Sequence, residues 1–592
     1  MVNNQEGTNR DYIYVVYGHE QIYGFNGGGV ERVTLEISKY NLNSILQSIS
    51  KIVLRLHSEG YSNKDTQRQL VSDIFSEDPP LRVMILKAIR EGKKKNWVIF
   101  HEQAILVLIK IALEYANKDV GLLVTNEEVK NVGNWLLILS DVCSGSELEI
   151  PFVYPKDIER EKLRELMARQ HFFNVREGLV YRIARFHLLF RTISKDIRLN
   201  ATANFERATD GVSFDSYVSF CFYLLVKWVN HKGEEVVFEN EWFVCKNKYF
   251  EQTSLKEEEI NRVLSILLLD IVTFPAVYSS LVDNLLNAID VYEYNFLPLR
   301  KRPLIPLDDQ CFVCVSPDML ADKATEGVYW MLLNYFESAD LKKEKELLPS
   351  VWGTAFEKYA CERLTEGFGD KFTANFLVDG EEKFDGLIEG SEAIFLLEMK
   401  YAHWSYKAKL SGNREYMLPV LNQILSGEGR TKGLGQIIRA IKELETKSWE
   451  LPFLYNNKPF IPLIIVGETI PMDWLNRAFY EDVSKAAKSF YENVNVMPFI
   501  IFDTEELEIV TAIASNHGSD IAEKLMFDYS KMFSNRNDLG FVGSSMNFRN
   551  YLNNIGYSIP KNDTLYKVFY KVANDATSKG FPGSVVVFGK DD

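Results

Sequence analysis

The stretch "AIFLLEMKYA" constrains the fold of this chain more than any other. Residues 394–397 form an unbroken apolar run, which is typical of a strand covered on both faces. Residues two apart in a strand point to the same side, so Glu398 and Lys400 project together while Met399 turns away. Charges at the end of a buried strand must be paired, bind something or lie at an open end of the sheet.

The surrounding residues, 346–513, have the element order of an α/β domain. A helix over "SVWGTAFEKYACERLTEGFG" ends at glycine, and short strands follow in "KFTANFLVDG", "EKFDGLIEG" and "EAIFLLEMK". Next come a helix over "GRTKGLGQIIRAIKELE" and two apolar strands, "PFIPLIIVGETIP" and "VMPFIIFDTEELEIV", with a helix between them. This order predicts a sheet with helices packed against it.

The remaining chain divides into three segments. Runs rich in Tyr, Val and Thr, "DYIYVVYGHEQIYGF" and "VERVTLEIS", predict a β-rich segment over 1–41. Apolar residues at helical spacing predict a mainly helical region over 42–345, interrupted by strands near 236–250 and in "PLIPLDDQCFVCVSPD". "SPDMLADKATEGVYWMLLNYFESADLKKEKELLP" predicts one long helix before the boundary. Residues 514–592 are expected to form a helical extension that closes with a strand in "GSVVVFG".

Composition narrows the class of protein. The chain has 592 residues and a net charge of −15, and its apolar runs are too short to cross a bilayer. Because its start also lacks the apolar core of a signal peptide, we expect a cytoplasmic protein with no membrane partner. Cys311 and Cys314 have no second cysteine pair at zinc-ligand spacing, so they are interpreted as small apolar strand residues. Six scattered cysteines fit a reducing compartment.

Three further polar residues accompany the charged strand end. Asp385 lies in "KFDGLI" on the preceding strand, Glu357 lies in the preceding helix, and Gln436 lies in the following helix. Glu-x-Lys triplets elsewhere fall in polar or helical stretches, where solvated surface charge is the better interpretation. The simplest alternative is that Asp385 is a turn residue, Gln436 a surface amide, and the pair at 398 and 400 an edge ion pair.

Carboxylates on adjacent strands suit the chemistry of a hard cation. Asp385 and Glu398 can hold one Mg²⁺ or Mn²⁺, the Met399 carbonyl can add an oxygen, and Glu357 can complete the set of ligands. Such an ion lowers the pKa of a bound water and neutralises charge on a phosphate oxygen. The ammonium of Lys400 can hold the attacking water or the phosphate. The pattern therefore favours hydrolysis of a phosphodiester.

Residues 350–513 resemble the PD-(D/E)XK nuclease superfamily, which includes many restriction endonucleases. The resemblance rests on "FEKY", "FDGLI", "LLEMK" and "GLGQI", in that order. It implies a mixed sheet flanked by helices and metal-dependent cleavage of phosphodiester bonds. It also assigns the catalytic roles to Asp385, Glu398 and Lys400, with Glu357 and Gln436 at accessory positions. The proline that precedes the aspartate in the family is absent, since Phe384 stands there.

The segment 400–442 is basic and aromatic in a chain that is acidic overall. Its candidate nucleic-acid-binding residues are Lys407, Lys409, Arg414, Arg430, Lys432 and Arg439. Basic side chains neutralise phosphates, and interleaved Trp and Tyr residues can stack on bases. The segment therefore predicts nucleic acid as the partner, with DNA favoured over RNA. A basic surface loop is the alternative.

The sequence thus predicts a metal-dependent nuclease that resembles bacterial restriction and anti-phage defence enzymes. The alternative is a non-catalytic nucleic-acid-binding or scaffold protein that retains a nuclease-like fold, although an intact Asp–Glu–Lys set argues against it. Residues 1–345 are expected to restrain or direct the nuclease, or to hold a homo-oligomer or a partner protein.

Overall fold

The fold combines many helices with one larger sheet and two small ones. The computed structural model describes residues 15–16, 18, 22, 29–60, 63–91, 97–118, 126–144, 178–229, 243–251, 253, 255–275, 296–378, 380–401, 414–425, 433–446, 458–468, 496–534 and 547–580. These residues form a mixed α/β structure. No helix among them is both long and apolar enough to cross a membrane.

One group of helices ends before residue 342, and a second group begins at this residue or after it. Those before it are α1 (Gly29–Ile37), α2 (Leu42–Glu59), α3 (Lys64–Ile74), α4 (Pro79–Glu91), α5 (Glu102–Tyr115), α6 (Asn126–Ser144), α7 (Leu179–Ile193), α8 (Ala201–Ala208), α9 (Phe214–Val229), α10 (Lys246–Phe250), α11 (Glu257–Leu267), α12 (Leu297–Lys301), α13 (Pro317–Ala324) and α14 (Gly327–Ser338). Those after it are α15 (Lys342–Phe368), α16 (Arg414–Leu425), α17 (Leu434–Thr446), α18 (Thr504–His517), α19 (Ser519–Ser534), α20 (Phe548–Asn554) and α21 (Asp563–Gly580).

The strands form three sheets. In chain order they are β1 (Val15–Val16), β2 (Trp97–Val98), β3 (Phe243–Cys245), β4 (Leu304–Pro306), β5 (Cys311–Cys314), β6 (Phe372–Val378), β7 (Glu381–Glu389), β8 (Ile394–Lys400), β9 (Phe460–Val466) and β10 (Ile500–Asp503). The large sheet has the order β10-β9-β8-β7-β6, in which β6, β7 and β8 pair antiparallel and β8, β9 and β10 pair parallel. A mixed sheet is therefore present, while the restriction-endonuclease-like fold stays a prediction. The helix expected between β9 and β10 lies outside the described residues.

Strand β8 is covered on both faces, as its apolar run predicted. Leu397 and Met399 belong to the cluster on the side of α15, and Leu396 packs with Ile437 and Ile441 of α17 on the other side. The end of β8 thus lies in a polar gap between two helices that bury the rest of the strand.

Helix α15 crosses the boundary predicted between residues 345 and 346. Pro349 lies inside this helix, although proline in a helix interior costs about 3 kcal/mol. The helix nevertheless continues through it, since Leu348, Trp352 and Ala355 bury an apolar face along its length. The second predicted boundary, at 513–514, falls inside α18.

The four predicted segments share one core. A continuous apolar cluster runs from α1 through the α15 side of the sheet to the C-terminal helices. Helix α21 packs on α7 and α9, so the C-terminal segment closes onto the N-terminal region rather than extending away from the sheet. This apolar cluster therefore continues across both predicted boundaries, at 345–346 and at 513–514.

A buried ion pair ties these segments together. Nε and Nη2 of Arg185, on α7, donate to the two carboxylate oxygens of Glu508, on α18, at 2.7 and 2.8 Å. The Tyr359 hydroxyl of α15 donates to the same carboxylate at 2.6 Å, and the Asn562 amide donates to the Glu508 carbonyl at 3.2 Å. Removing one partner of such a pair leaves a buried charge and costs about 3–5 kcal/mol.

Three predictions of local structure are wrong. The stretch "VERVTLEIS" was expected to be a strand but forms α1, because Val33 and Ile37 are spaced to bury one helical face while Leu35 is 71% exposed. The long helix expected over 316–349 is instead α13, α14 and the start of α15. The last apolar strand ends at Asp503, whose side chain caps α18.

The cysteine interpretation also needs correction. Cys245 and Cys311 form a disulfide, because the antiparallel register of β3 and β5 sets them directly opposite each other. Cys314 is buried and unbonded, as expected of an apolar strand residue. Disulfides persist mainly in oxidising compartments, so this bond is not what scattered cysteines in a reducing compartment predict, and the cytoplasmic location stays a prediction.

Candidate active site

Asp385 and Glu398 lie opposite each other where the ladder between β7 and β8 ends. The last pair on this side is Gly386 with Leu397, which sets Asp385 opposite Glu398 one step further out. The Asp385 carboxylate then takes the place of the backbone ladder, since its Oδ2 accepts a hydrogen bond from the Met399 N–H at 2.6 Å. The two carboxylates chosen from the sequence are therefore brought together.

The Lys400 ammonium lies between these carboxylates. Its Nζ is 3.5 Å from Asp385 Oδ2 and forms an ion pair with Glu398 Oε1. Burial lowers the pKa of Lys400, but the charges of Glu398 and Asp385 outweigh burial and raise it above its usual value. Lys400 is therefore held as a cation at the centre of the site.

The Glu398 carboxylate is fully buried, and its partner is Lys400. Its Oε1 is paired with the Lys400 ammonium, and neither oxygen accepts a further hydrogen bond from a described residue. Burial, together with the charge of Asp385, raises the pKa of Glu398 to about 8, against the opposing charge and hydrogen bond of Lys400. A buried carboxylate is costly to ionise unless a cation pairs with it, and Lys400 supplies that charge here.

The Met399 carbonyl faces the same gap. In a strand, the N–H and C=O of one residue point to the same neighbouring strand. The Met399 N–H points to Asp385, so its carbonyl is also directed towards β7, beyond the last ladder pair. The next carbonyl, that of Lys400, accepts the Gly467 N–H at 2.9 Å on the β9 side, as this alternation requires.

Packing fixes the position of Tyr401, the residue that follows Lys400. The Tyr401 ring lies 5.3 Å from the Phe356 ring and 6.4 Å from the Trp352 ring, centroid to centroid, so it is held against α15. On its other side, a Cβ at Gly467 would lie only 2.0 Å from Tyr401 Cδ2. Only glycine fits there, and the end of β8 is therefore held between α15 and the end of β9.

Glu357 shares the electrostatic field of the site. It is half-buried on α15, and burial together with the charges of Asp385 and Glu382 raises its pKa. It makes no hydrogen bond or ion pair with any described residue. Gln436, in the first turn of α17, points its Nε2 at the carbonyl of Lys383 on β7 at 3.5 Å, a long contact. Gln436 thus contacts the strand backbone rather than the carboxylates.

Sequence reasoning missed Glu382. It is exposed on β7, three residues before Asp385, and nothing in the sequence distinguishes it from other surface glutamates. Burial and the charge of Asp385 raise its pKa, whereas the charge of Lys400 lowers it. Glu382 therefore lies within reach of the same charges.

Most of the candidate nucleic-acid-binding residues lie outside the described residues. These are Lys407, Lys409, Arg430 and Lys432. The backbone of Arg414 begins α16, but its side chain is not described, and Arg439 is exposed on α17. The nucleic-acid interface stays a prediction.

The residues present suit an oxygen-liganded cation. In the described part of the chain, no three His, Cys, Asp or Glu side chains are already arranged to hold a metal ion. Asp385, Glu398 and the Met399 carbonyl offer an all-oxygen set, in which both carboxylates are paired with Lys400. Mg²⁺ is bound through one or two carboxylates and keeps several waters, so this set matches its chemistry.

Comparisons with known proteins identify no relative. The chain matches no family model, no curated protein and no solved structure. The case for a function therefore depends on the residues of the site and on the resemblance that their order carries.

Proposed function

We propose that the protein is a metal-dependent nuclease that hydrolyses phosphodiester bonds of nucleic acid, with DNA favoured over RNA. The observation that carries the proposal is the meeting of two carboxylates, Asp385 and the fully buried Glu398, with the ammonium of Lys400. An acidic pair and a cation thus lie together at one strand end.

The cation would be held by Asp385, Glu398 and the Met399 carbonyl, and Glu357 would orient its waters. When bound, Mg²⁺ or Mn²⁺ lowers the pKa of the water that it holds and neutralises the charge that builds on a phosphate oxygen. The donors of Lys400 are suited to hold the attacking water or a phosphate oxygen. In-line attack of water on the phosphodiester would then cleave the chain.

Substrate and setting are proposed from the sequence. The basic segment 400–442 would hold the phosphate backbone. A restriction or anti-phage role follows from the resemblance to PD-(D/E)XK nucleases, which include enzymes of that kind. Neither point depends on the geometry of the site.

A second candidate is a nucleic-acid-binding or scaffold protein without catalysis. It is favoured by one observation: no three side chains of the described residues are already placed to hold a metal ion. In this case Lys400 would serve only as the permanent counter-ion of Asp385 and Glu398.

A cleavage panel separates the two candidates. Purified full-length protein would be incubated with labelled duplex DNA, single-stranded DNA or RNA, with Mg²⁺, Mn²⁺, Ca²⁺ or a chelator. The nuclease proposal expects cleavage with Mg²⁺ or Mn²⁺ and none with the chelator. Ca²⁺ should support cleavage poorly because of its looser coordination. Binding of nucleic acid without cleavage under every condition would favour the scaffold instead.

A further inference from the structure

A disulfide holds the outer strand of a small sheet. In the sheet of order β3-β5-β4, strand β3 lies at an edge, and its partner among the described strands is β5. Three residue pairs join β3 to β5, and the last of these pairs is Cys245 with Cys311. The disulfide between the two cysteines therefore adds a covalent link to a short ladder at the edge of the sheet.

The bonded cysteines are more accessible than the free cysteine of the same strand. Cys245 and Cys311 are half-buried, whereas Cys314, three residues further along β5, is fully buried. Cys311 also lines an open groove of about 250 Å³ between α11 and the hairpin of β4 and β5. A disulfide that lies near the surface is more open to exchange with external thiols than one inside a core.

Other contacts hold the elements on either side of the bond. Helix α10 follows β3 directly, and its Tyr249 hydroxyl donates to the Tyr223 carbonyl of α9 at 2.9 Å. The Phe250 ring of α10 stacks on the Phe220 ring of α9 with 5.0 Å between their centroids. Strand β5 also pairs with β4 on its other side. Breaking the disulfide would therefore leave α10 and β5 in place and act on β3.

Strand β3 has little else to keep it on the sheet. Its central residue, Val244, is fully buried, while the residues on both sides of Val244 are only half-buried. Local opening is easiest where few buried apolar contacts hold a segment. The state of the disulfide would thus decide how firmly β3 is held.

We propose that the bond between Cys245 and Cys311 is a reversible redox switch, which fixes β3 on β5 when oxidised and releases β3 when reduced. The reductant is a dithiol. One of its thiolates attacks the sulfur of Cys311, the cysteine that lines the groove, and Cys245 leaves as a thiolate that takes up a proton. The second thiol of the reductant then breaks the mixed disulfide and releases Cys311 as a thiol. The protein gains two electrons and two protons, and the reductant becomes a disulfide.

Alkylation tests whether the bond can be reduced in the folded protein. The full-length protein would be incubated with increasing dithiothreitol and alkylated with iodoacetamide, and mass spectrometry of its peptides would give the labelled fraction of each cysteine. Fragment ions separate Cys311 from Cys314, which serves as the internal control because it is buried in the same strand. Circular dichroism would follow the fold in parallel.

We expect Cys245 and Cys311 to be labelled only after reduction, at an unchanged circular dichroism spectrum and with Cys314 unlabelled. Oxidised glutathione, added once dithiothreitol is removed, should restore their protection. Labelling of the pair without reductant would overturn the proposal. Labelling that appears only together with that of Cys314, as the fold is lost, would overturn it as well.

Hydrogen exchange tests the release of β3. Peptides that cover residues 243–245 should exchange at least about 10-fold faster after reduction, whereas those that cover β8 should not change. Cys245→Ser should show the fast exchange with or without dithiothreitol, and Cys221→Ala, which alters a buried free cysteine, should behave as the wild type does. Equal exchange of β3 in the oxidised and reduced wild type would contradict the release. Neither measurement uses nucleic acid, so the outcome is independent of the nuclease proposal.

Discussion

Asp385 Oδ2 accepts the Met399 N–H at 2.6 Å, so a carboxylate takes a position that the backbone ladder between two strands would otherwise fill. The Asp385 side chain thus has a structural role, because it closes the end of the ladder, and an electrostatic role, because it supplies negative charge to the site. Substitutions can separate the two roles.

Asp385→Asn keeps an acceptor for the Met399 N–H but removes the charge. We expect its free energy of unfolding to stay near that of the wild type while cleavage is lost. Asp385→Ala leaves the buried N–H unsatisfied and should lower the free energy of unfolding by about 1–3 kcal/mol. Urea unfolding of both variants checks this; equal stability of the alanine and asparagine variants would contradict a structural role for the hydrogen bond.

Glu398 should make stability depend on pH. Its pKa is raised from 4.5 to about 8, chiefly by burial, so the folded state binds a proton more tightly than the unfolded state. The stability contributed by the protonated form is therefore present at low pH and is lost as pH rises through that interval, by up to about 1.4 kcal/mol per pH unit.

Unfolding measured without divalent cations across this pH interval tests the prediction. Glu398→Gln should flatten the dependence, and Mn²⁺ should restore stability at the alkaline end because it binds the ionised carboxylate. A wild-type profile that matches that of Glu398→Gln would show that this carboxylate does not titrate in the interval.

Gly467→Ala should impair turnover without touching the charged residues. The added Cβ would lie 2.0 Å from Tyr401 Cδ2, so the ring and the end of β8 must shift. Lys400 would move with them, and we expect a lower kcat with little change in KM, since orientation of the reacting groups is lost. Steady-state cleavage kinetics give both values. A wild-type kcat in Gly467→Ala would show that the contact between Gly467 and Tyr401 does not position Lys400.

Glu508→Gln should destabilise the whole protein and not one part of it. It leaves the buried Arg185 without its charge partner, and we expect a loss of about 3–5 kcal/mol in the free energy of unfolding. The control is Glu337→Gln, which breaks the exposed pair with Lys345 and should cost under about 1 kcal/mol. Similar losses in the two variants would contradict the account of the shared core.

The same contacts affect how the N-terminal region can be studied. A fragment that starts at residue 346 would begin inside α15 and would lack Arg185, the charge partner of Glu508. We expect this fragment not to fold, as circular dichroism would show. A role of residues 1–345 in restraint or direction therefore has to be tested by substitutions in the full chain.

Patterns of short range were read correctly from the sequence. The apolar run 394–397 predicted a strand buried on both faces, and the charged residues after it were expected to meet Asp385 from the preceding strand. The structure brings those side chains together.

Relationships of longer range could not be read in this way. The β-bulge at Lys383 of β7 depends on pairing with β6, and the disulfide joins Cys245 to a residue 66 positions away. Helix α15 runs through the predicted boundary and through Pro349, because its packing against the N-terminal helices outweighs the local cost of proline. Tertiary contacts of this kind leave no local signal.

The most direct measurement of the central claim compares Mn²⁺-dependent cleavage by Glu398→Gln with cleavage by Glu389→Gln, each purified in the same way as the wild type. Glu389 is the last residue of β7, the strand that contains Asp385, and therefore controls for the loss of one glutamate. The account predicts that Glu398→Gln is inactive and that Glu389→Gln cleaves at the wild-type rate, and that a chelator stops cleavage by the wild type and by Glu389→Gln. Cleavage by Glu398→Gln at the wild-type rate would contradict it.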